Sequence, residues 1–302
     1  LNPESYAERI LEKLEPLGID VDVLGESQMR SLGMGALLGV GQGSSNESKL
    51  VVMKYNGLDD DSDPICFVGK GVTFDTGGSN LKPGDHMNGM HMDMAGGAIA
   101  IHTLLALAKL KVKKNVVCLV PAVENRVTGD SYLPGDVIIG MSGQAIEVLN
   151  TDAEGRVILS DALTYAKKYN PSVVVDLATL TGAAVVALGS RVSALFSNDD
   201  ELLTQLKTIG ENTKNLMWPM PLYDEYKEDI KGDLGGITNT HNKMKRDGGA
   251  ITGAMFLYQF AKEYKWAHID IAPRMESITG DNLGSGATAE PLYALVTLVE
   301  GK

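Results

Sequence analysis

The sequence predicts an α/β fold, a mostly parallel mixed sheet with helices on both faces. Three observations predict it. Short apolar runs recur along the chain at residues 50–55, 65–68, 115–120, 173–178 and 267–272, and read as strands buried on both sides. Between them lie longer stretches with apolar residues three and four apart, which read as helices. Glycines and charged residues gather just after the runs, where open α/β sheets carry their binding sites.

Taken in order, Asn2-Pro3 starts a helix whose apolar face holds Tyr6, Ile10, Leu11 and Leu14. Residues 19–23 alternate like a strand, and residues 50–55 form the next. Gly39, Gly41 and Gly43 lie between them in a G-x-G-x-G spacing. A strand follows these glycines rather than a helix, which argues against a dinucleotide loop. The buried run 65–68 leads into a glycine-rich loop from Lys70 to Lys82. A helix follows from Asp93, with Met94, Ala98, Ile101, Leu104, Leu105 and Ala108 on its apolar face. Residues 115–120 read as a central strand.

Residues 145–149 alternate as a short strand that hands over to Asn150-Thr-Asp-Ala-Glu-Gly-Arg156. Arg156 opens a further helical run through Val157, Leu159, Ala162, Leu163 and Ala166. Helices are expected at 201–213 and 254–264. Residues 231–249, rich in Gly, Asn, Lys and Asp, are expected to form a long surface loop.

A chain of 302 residues can bury the core of one large domain or two unequal ones. With 27 basic and 39 acidic residues its formal net charge is −12, which argues against nucleic acid or an anionic membrane as main partner. Cys66 and Cys118 are too few for a zinc knuckle. Both sit in apolar runs, so they read as buried free thiols of a reducing compartment, with cytoplasmic residence as the default. No apolar run approaches the length of a membrane span and no secretory signal opens the chain, on this reading. The first residue, Leu1, points to a fragment or a processed form.

The chemistry concentrates in two stretches. In an extended segment residues two apart share a side, so Asp152 and Glu154 present paired carboxylates. The loop after 65–68 adds Lys70, Asp75 and Lys82, and Asp93 precedes the next helix. Four carboxylates at one site repel and raise one another's pKa values, and cations must neutralise them. The five histidines are scattered without metal-binding spacing, so a paired site would be rich in oxygen ligands and suit manganese as well as zinc. Gly69, Gly71, Gly77 and Gly78 read as points of close backbone approach to ions or substrate. Met90, Met92 and Met94, and the segment 179–182, are placed to border a pocket. No G-x-S-x-G nucleophile elbow is present.

Residues Val68 to Pro83 and Asn-Thr-Asp-Ala-Glu-Gly-Arg together resemble the signature pair of the leucine aminopeptidase family, two-metal cytosolic exopeptidases. The resemblance runs from Met34 to Ala272. It implies residues 1–30 as a linking helix and first strand, residues 31–302 as the catalytic metallopeptidase domain, and absence of the family's smaller N-terminal domain. The implied metal ligands are Lys70, Asp75, Asp93, Asp152 and Glu154, for two divalent ions, zinc and/or manganese. Asp75 and Glu154 would bridge the pair, and a water between the metals would attack the first peptide carbonyl. Lys82 would stabilise the oxyanion, and Arg156 would hold a bicarbonate acting as general base. Met90, Thr179, Gly182, Ala272 and Met275 would line the pocket for a Leu- or Met-like first residue. Implied partners are peptides with a free N-terminus and five further copies in a homohexamer.

The chain departs from the family pattern at Pro273-Arg274, His91, Gly235-Gly236 and Ala289-Glu290-Pro291, which bears on side-chain preference and subunit contacts. The alternative reading is a non-catalytic scaffold or regulatory protein that keeps the fold. Presence of all seven site residues favours the enzyme, since a scaffold has no use for a cluster that repels itself.

Overall fold

The computed structural model describes residues 1–58, 62–234, 236–243, 245, 247–281 and 283–301. Helix α1 (Pro3–Leu14) starts where Asn2 and Ser5 cap each other reciprocally, with Pro3 pre-set for the first turn. Then come β1 (Asp20–Leu24), α2 (Glu26–Ser31), α3 (Gly35–Gly41), β2 (Lys49–Asn56), β3 (Ile65–Gly69), β4 (Gly71–Asp75), α4 (Ala95–Leu110) and β5 (Asn115–Asn125). The middle of the chain forms β6 (Val137–Ile139), β7 (Ala145–Glu147), α5 (Glu154–Ala166), β8 (Val173–Ala178) and α6 (Gly182–Leu188). The remainder gives β9 (Ser193–Ser197), α7 (Asp200–Thr213), β10 (Met217–Pro219), β11 (Ile237–Thr238), α8 (Gly249–Ala261), β12 (Trp266–Asp270) and α9 (Leu292–Glu300).

Strands β1-β2-β5-β3-β8-β12-β9-β10 form one mixed sheet, to which β4 adds by pairing with β5. Its centre, β5-β3-β8-β12, is parallel throughout, while β2 and β9 join it antiparallel from either side. Alternation along the strands divides the core. Cys66, Val68, Val174 and Trp266 pack with residues of α3, α5 and α8, whereas Phe67, Val175, Leu177 and Ile269 pack with α1, α4, α7 and α9. Helices therefore cover both faces, as expected. Tyr6, Ile10 and Leu14 of α1 belong to the second of these layers, and β1 is the edge strand of the same sheet. Cys66 and Cys118 are buried and free, on opposite faces, and burial pushes both thiols up.

Several expectations need correction. The reading of Gly39 and Gly41 is not among them: they lie in helix α3, where Cβ atoms would meet Ile138 and Ser48, so close packing explains them. The loop 70–82 contains a strand, β4, separated from β3 by Lys70 alone. The strand at 145–149 does not belong to the main sheet; β7 pairs with β6 and β11 in a separate three-stranded one. The segment 231–249 is no simple surface loop, because Thr238, Asn239 and His241 within it are buried. Gly235 lies outside the described residues. Finally, Gly84–Leu110 is a 27-residue stretch long and apolar enough to cross a membrane, contrary to the expectation of no such run. Its helix α4 packs on β3, β5 and α9 in the core, which accounts for the apolarity.

Candidate active site

The site lies at the carboxyl ends of the parallel strands. Lys70 follows β3, Asp75 ends β4, Thr179 follows β8 and Ala272 lies just beyond β12. Lys70 is fixed through its backbone: its N–H donates to Leu177 O (2.9 Å) and its carbonyl accepts from Gly97 N–H (2.8 Å). A Cβ on Gly69 would meet Gly96 O at 2.6 Å, so helix α4 can rest on the strand end only without side chains there. Gly69 and Gly71 therefore serve backbone packing, which corrects their expected approach to ions. Gly77 and Gly78 have φ of 88° and 64°, the left-handed turn that brings Asp75 and Lys82 together.

The Lys70 ammonium lies 2.7 Å from Asp93 Oδ2 and 2.7 Å from Glu154 Oε1, and donates to Thr179 O at 3.1 Å. Lys82 Nζ lies 2.7 Å from Asp75 Oδ2 and 2.6 Å from Asp152 Oδ1. Burial opposes both ammonium charges, but the surrounding carboxylates outweigh it and hold both lysines above their usual range. The carboxylates respond oppositely. Burial first, then one another's charge, lifts Asp93, Asp152 and Glu154 above the ordinary carboxylate range. Asp75, Asp93 and Glu154 are buried and can each offer an oxygen within 4.8 Å of the others. Asp152 lies outside that tightest group and joins it through Lys82.

Neither Glu154 oxygen receives a well-aligned hydrogen bond although the residue is 1% exposed, and Asp93 Oδ2 and Asp152 Oδ1 share that condition. Buried acceptors without aligned donors are costly. A set of hard oxygen atoms left in this state fits divalent cations.

Around the carboxylates is a frame that sequence reasoning missed. Asn125 donates to Asp75 Oδ1 (2.8 Å) and to Thr151 O (3.0 Å). Thr151 Oγ1 donates to Gly77 O (2.6 Å), and Tyr132 donates to Thr151 O (2.7 Å). Asn239 binds Leu149 N–H and Asn150 O with its side chain, and its carbonyl accepts from Arg156 Nη1 at 2.9 Å. Asp270 accepts from the N–H groups of Leu180 (3.1 Å) and Ala272 (3.2 Å) and from the Thr181 hydroxyl (2.7 Å), tying two strand exits together. Only the alternation of polar residues in apolar strands hinted at Asp270. Nothing in the sequence near Asn239 marked it.

A cavity of about 300 Å³ opens on the cluster. Its walls include Lys70, Asp75, Lys82, Asp93, Asp152 and Glu154. All five residues expected for the side-chain pocket, Met90, Thr179, Gly182, Ala272 and Met275, line it too. Arg156 is not among its lining residues. It is buried in the first turn of α5, where burial pulls its pKa down to about 10, and its Nε has no hydrogen-bond partner. Met92 and Met94 line a different cavity. The departure at Arg274 is compensated by the one at Glu290: the guanidinium donates to Glu290 twice (3.1 and 2.7 Å) and to Asp281 and Ser190 O. Arg274 does not line the 300 Å³ cavity, and His91 is exposed.

Residues 1–296 match the catalytic domain of the Cytosol aminopeptidase family. This chain belongs to that family. It is 53% identical over 272 residues to "Cytosol aminopeptidase" of Rickettsia prowazekii (strain Madrid E), a match covering 89% of this chain and 54% of that protein. It is 51% identical over 284 residues to "Probable cytosol aminopeptidase" of Rickettsia peacockii (strain Rustic), covering 93% of this chain and 57% of the relative. The chain thus spans a little over half the length of the curated relatives it matches. Among solved structures it is similar to "Bottromycin maturation enzyme BotP", with a TM-score of 0.92 and 33% identity, over 99% of this chain and 65% of that one.

Proposed function

We propose that this chain carries the active site of a metal-dependent aminopeptidase that releases N-terminal residues, Leu- and Met-like ones preferred, from peptides. One observation carries the reading: Asp75, Asp93, Asp152 and Glu154 face one cavity, with Lys70 and Lys82 as the ammonium groups among its described lining. Four carboxylates facing two ammonium groups on the cavity wall are an acidic excess in a largely buried place, which bound cations would neutralise.

Lys70, Asp75, Asp93, Asp152 and Glu154 would hold two divalent ions, zinc and/or manganese. Lys70 would have to be neutral to serve. Bound there, the ions would supply Lewis acidity and a nucleophile available at neutral pH. The remaining roles fall to the chain. Lys82, 13% exposed at the cavity wall, is a fixed positive group where negative charge would develop on a peptide carbonyl oxygen. Arg156 stays cationic near pH 7, and its partnerless Nε fits an oxyanion such as bicarbonate. Thr179, Gly182, Ala272, Met90 and Met275 would enclose the first side chain. The acidic excess favours a free amino terminus over a blocked one.

We also read residues 1–30 as a linking helix and first strand joined to a catalytic domain at 31–302. The names of the relatives and the two buried thiols support a cytoplasmic protein. A homohexamer is the assembly we propose, and Val186 (89% exposed) and Leu234 (70%) are apolar groups it could cover. Sedimentation analysis decides that point.

The functional test is hydrolysis of leucine p-nitroanilide after chelation and reloading with manganese or zinc, with metal counted per chain. Chelation should abolish turnover, reloading should restore it, and N-acetylation of the substrate should prevent it. Full turnover by stripped protein, or equal rates on blocked substrate, would overturn the proposal.

A further inference from the structure

We propose that Met275 is a displaceable wall between the first-residue pocket and a second cavity, and that this cavity takes the ends of long or aromatic first side chains. The inference rests on the aminopeptidase reading and extends it to a class of substrate.

Met275 lines both the 300 Å³ cavity at the carboxylates and a neighbouring one of about 580 Å³. The smaller cavity is also walled by the charged groups, so a bound peptide backbone would share its volume and leave little for a large side chain. The larger cavity is mostly apolar, with Met92, Met94, Ala98, Ile99 and Leu292 in its walls. Its one guanidinium, Arg274, is already engaged by Glu290 and Asp281, and His91 and His102 are the other ionisable groups in its walls.

Met275 suits a movable wall. Its backbone is held on both sides: Arg274 is anchored through its side chain, Thr288 donates its hydroxyl to Arg274 O, and Thr288 N–H donates to Met275 O at 3.4 Å. The Met275 side chain is half-buried, and it is unbranched with three rotatable bonds. A fixed backbone with a free side chain can change rotamer without cost to the fold.

The test compares wild type, Met275→Ala, Ala98→Phe and the double variant. Two readouts are taken: kcat/KM on leucine and naphthylalanine p-nitroanilides, and calorimetric Kd for the two corresponding amino-acid amides. Met275→Ala should raise the naphthylalanine-to-leucine ratio at least tenfold in both readouts, the scale on which apolar pockets discriminate by size. Ala98→Phe lies only in the second cavity and should leave leucine turnover unchanged. Combined with Met275→Ala it should return the ratio to the wild-type value. Should Ala98→Phe fail to fold, Ala287→Phe plugs the same cavity from an exposed position. An unchanged ratio in Met275→Ala, or a gain that survives the plug, overturns the wall. If no free peptide is cleaved under any metal loading, the aminopeptidase reading fails, and the amide Kd ratios still decide the cavity.

Discussion

Replacing Lys70 by Met keeps most of its stem, which packs against Gly155, and removes the ammonium that faces Asp93 and Glu154. Both carboxylates are at most 5% exposed, so neither can regain water without moving. Removing one partner of a buried pair costs about 3–5 kcal/mol. With roughly 2 °C of melting temperature per kcal/mol for a chain of this length, the metal-free variant should melt about 6–10 °C below wild type. Excess manganese should raise the variant by at least half of that deficit towards metal-free wild type, because an ion returns positive charge to the same oxygens. Even at a hundredfold excess over Kd, one ion adds about 2.7 kcal/mol. Calorimetric melting of both proteins, stripped and loaded, measures the four values. A variant whose melting temperature manganese leaves unchanged would refute the reasoning that Lys70 and a divalent ion share one electrostatic task.

Lys82→Ala should bind metal normally and keep its KM while kcat falls about a hundredfold, the usual loss for one oxyanion donor, and added metal should not rescue it. Gly155→Ala places a Cβ 2.6 Å from Lys70 Cε and should weaken metal binding by about 10–100-fold, the range for disturbed ligand positioning, as read by metal titration. Asp161 is buried and its carboxyl is raised to about 6 despite accepting N–H groups of Leu37 and Met141. The folded state therefore keeps its proton where the unfolded chain has released it. Its contribution to stability is full below about pH 4 and declines as pH rises to about 6, by about 3 kcal/mol at most. Asp161→Asn should lack that decline in denaturant titrations across this window.

The strands β3, β5, β8 and β12 were legible because a strand buried on both faces needs an unbroken apolar run, whatever its neighbours are. Six of the seven ionisable residues gathered from the sequence line one cavity, and the clues were local: Asp152 and Glu154 two apart, and lysines at either end of a glycine-rich loop; Arg156 does not line it. Tertiary structure alone decided the rest. β4 was hidden because Gly71 and Asp75 look like loop residues, and only pairing with β5 makes a strand of them. Asn239 reaches Asn150 and Arg156 across more than eighty residues of chain, a closure no local pattern records. Asp270 reads as one polar residue in an apolar strand until its carboxylate is seen joining Thr181 to Ala272. Arg274 looked like an unpaired charge bearing on side-chain preference, and its partners Glu290 and Asp281 show that charge to be engaged. Sequence determines which groups a site contains, since covalent neighbours and side-chain chemistry fix that much. Which polar groups frame it, and where the pocket walls stand, depends on contacts between distant segments, and those exist only once the sheet has closed.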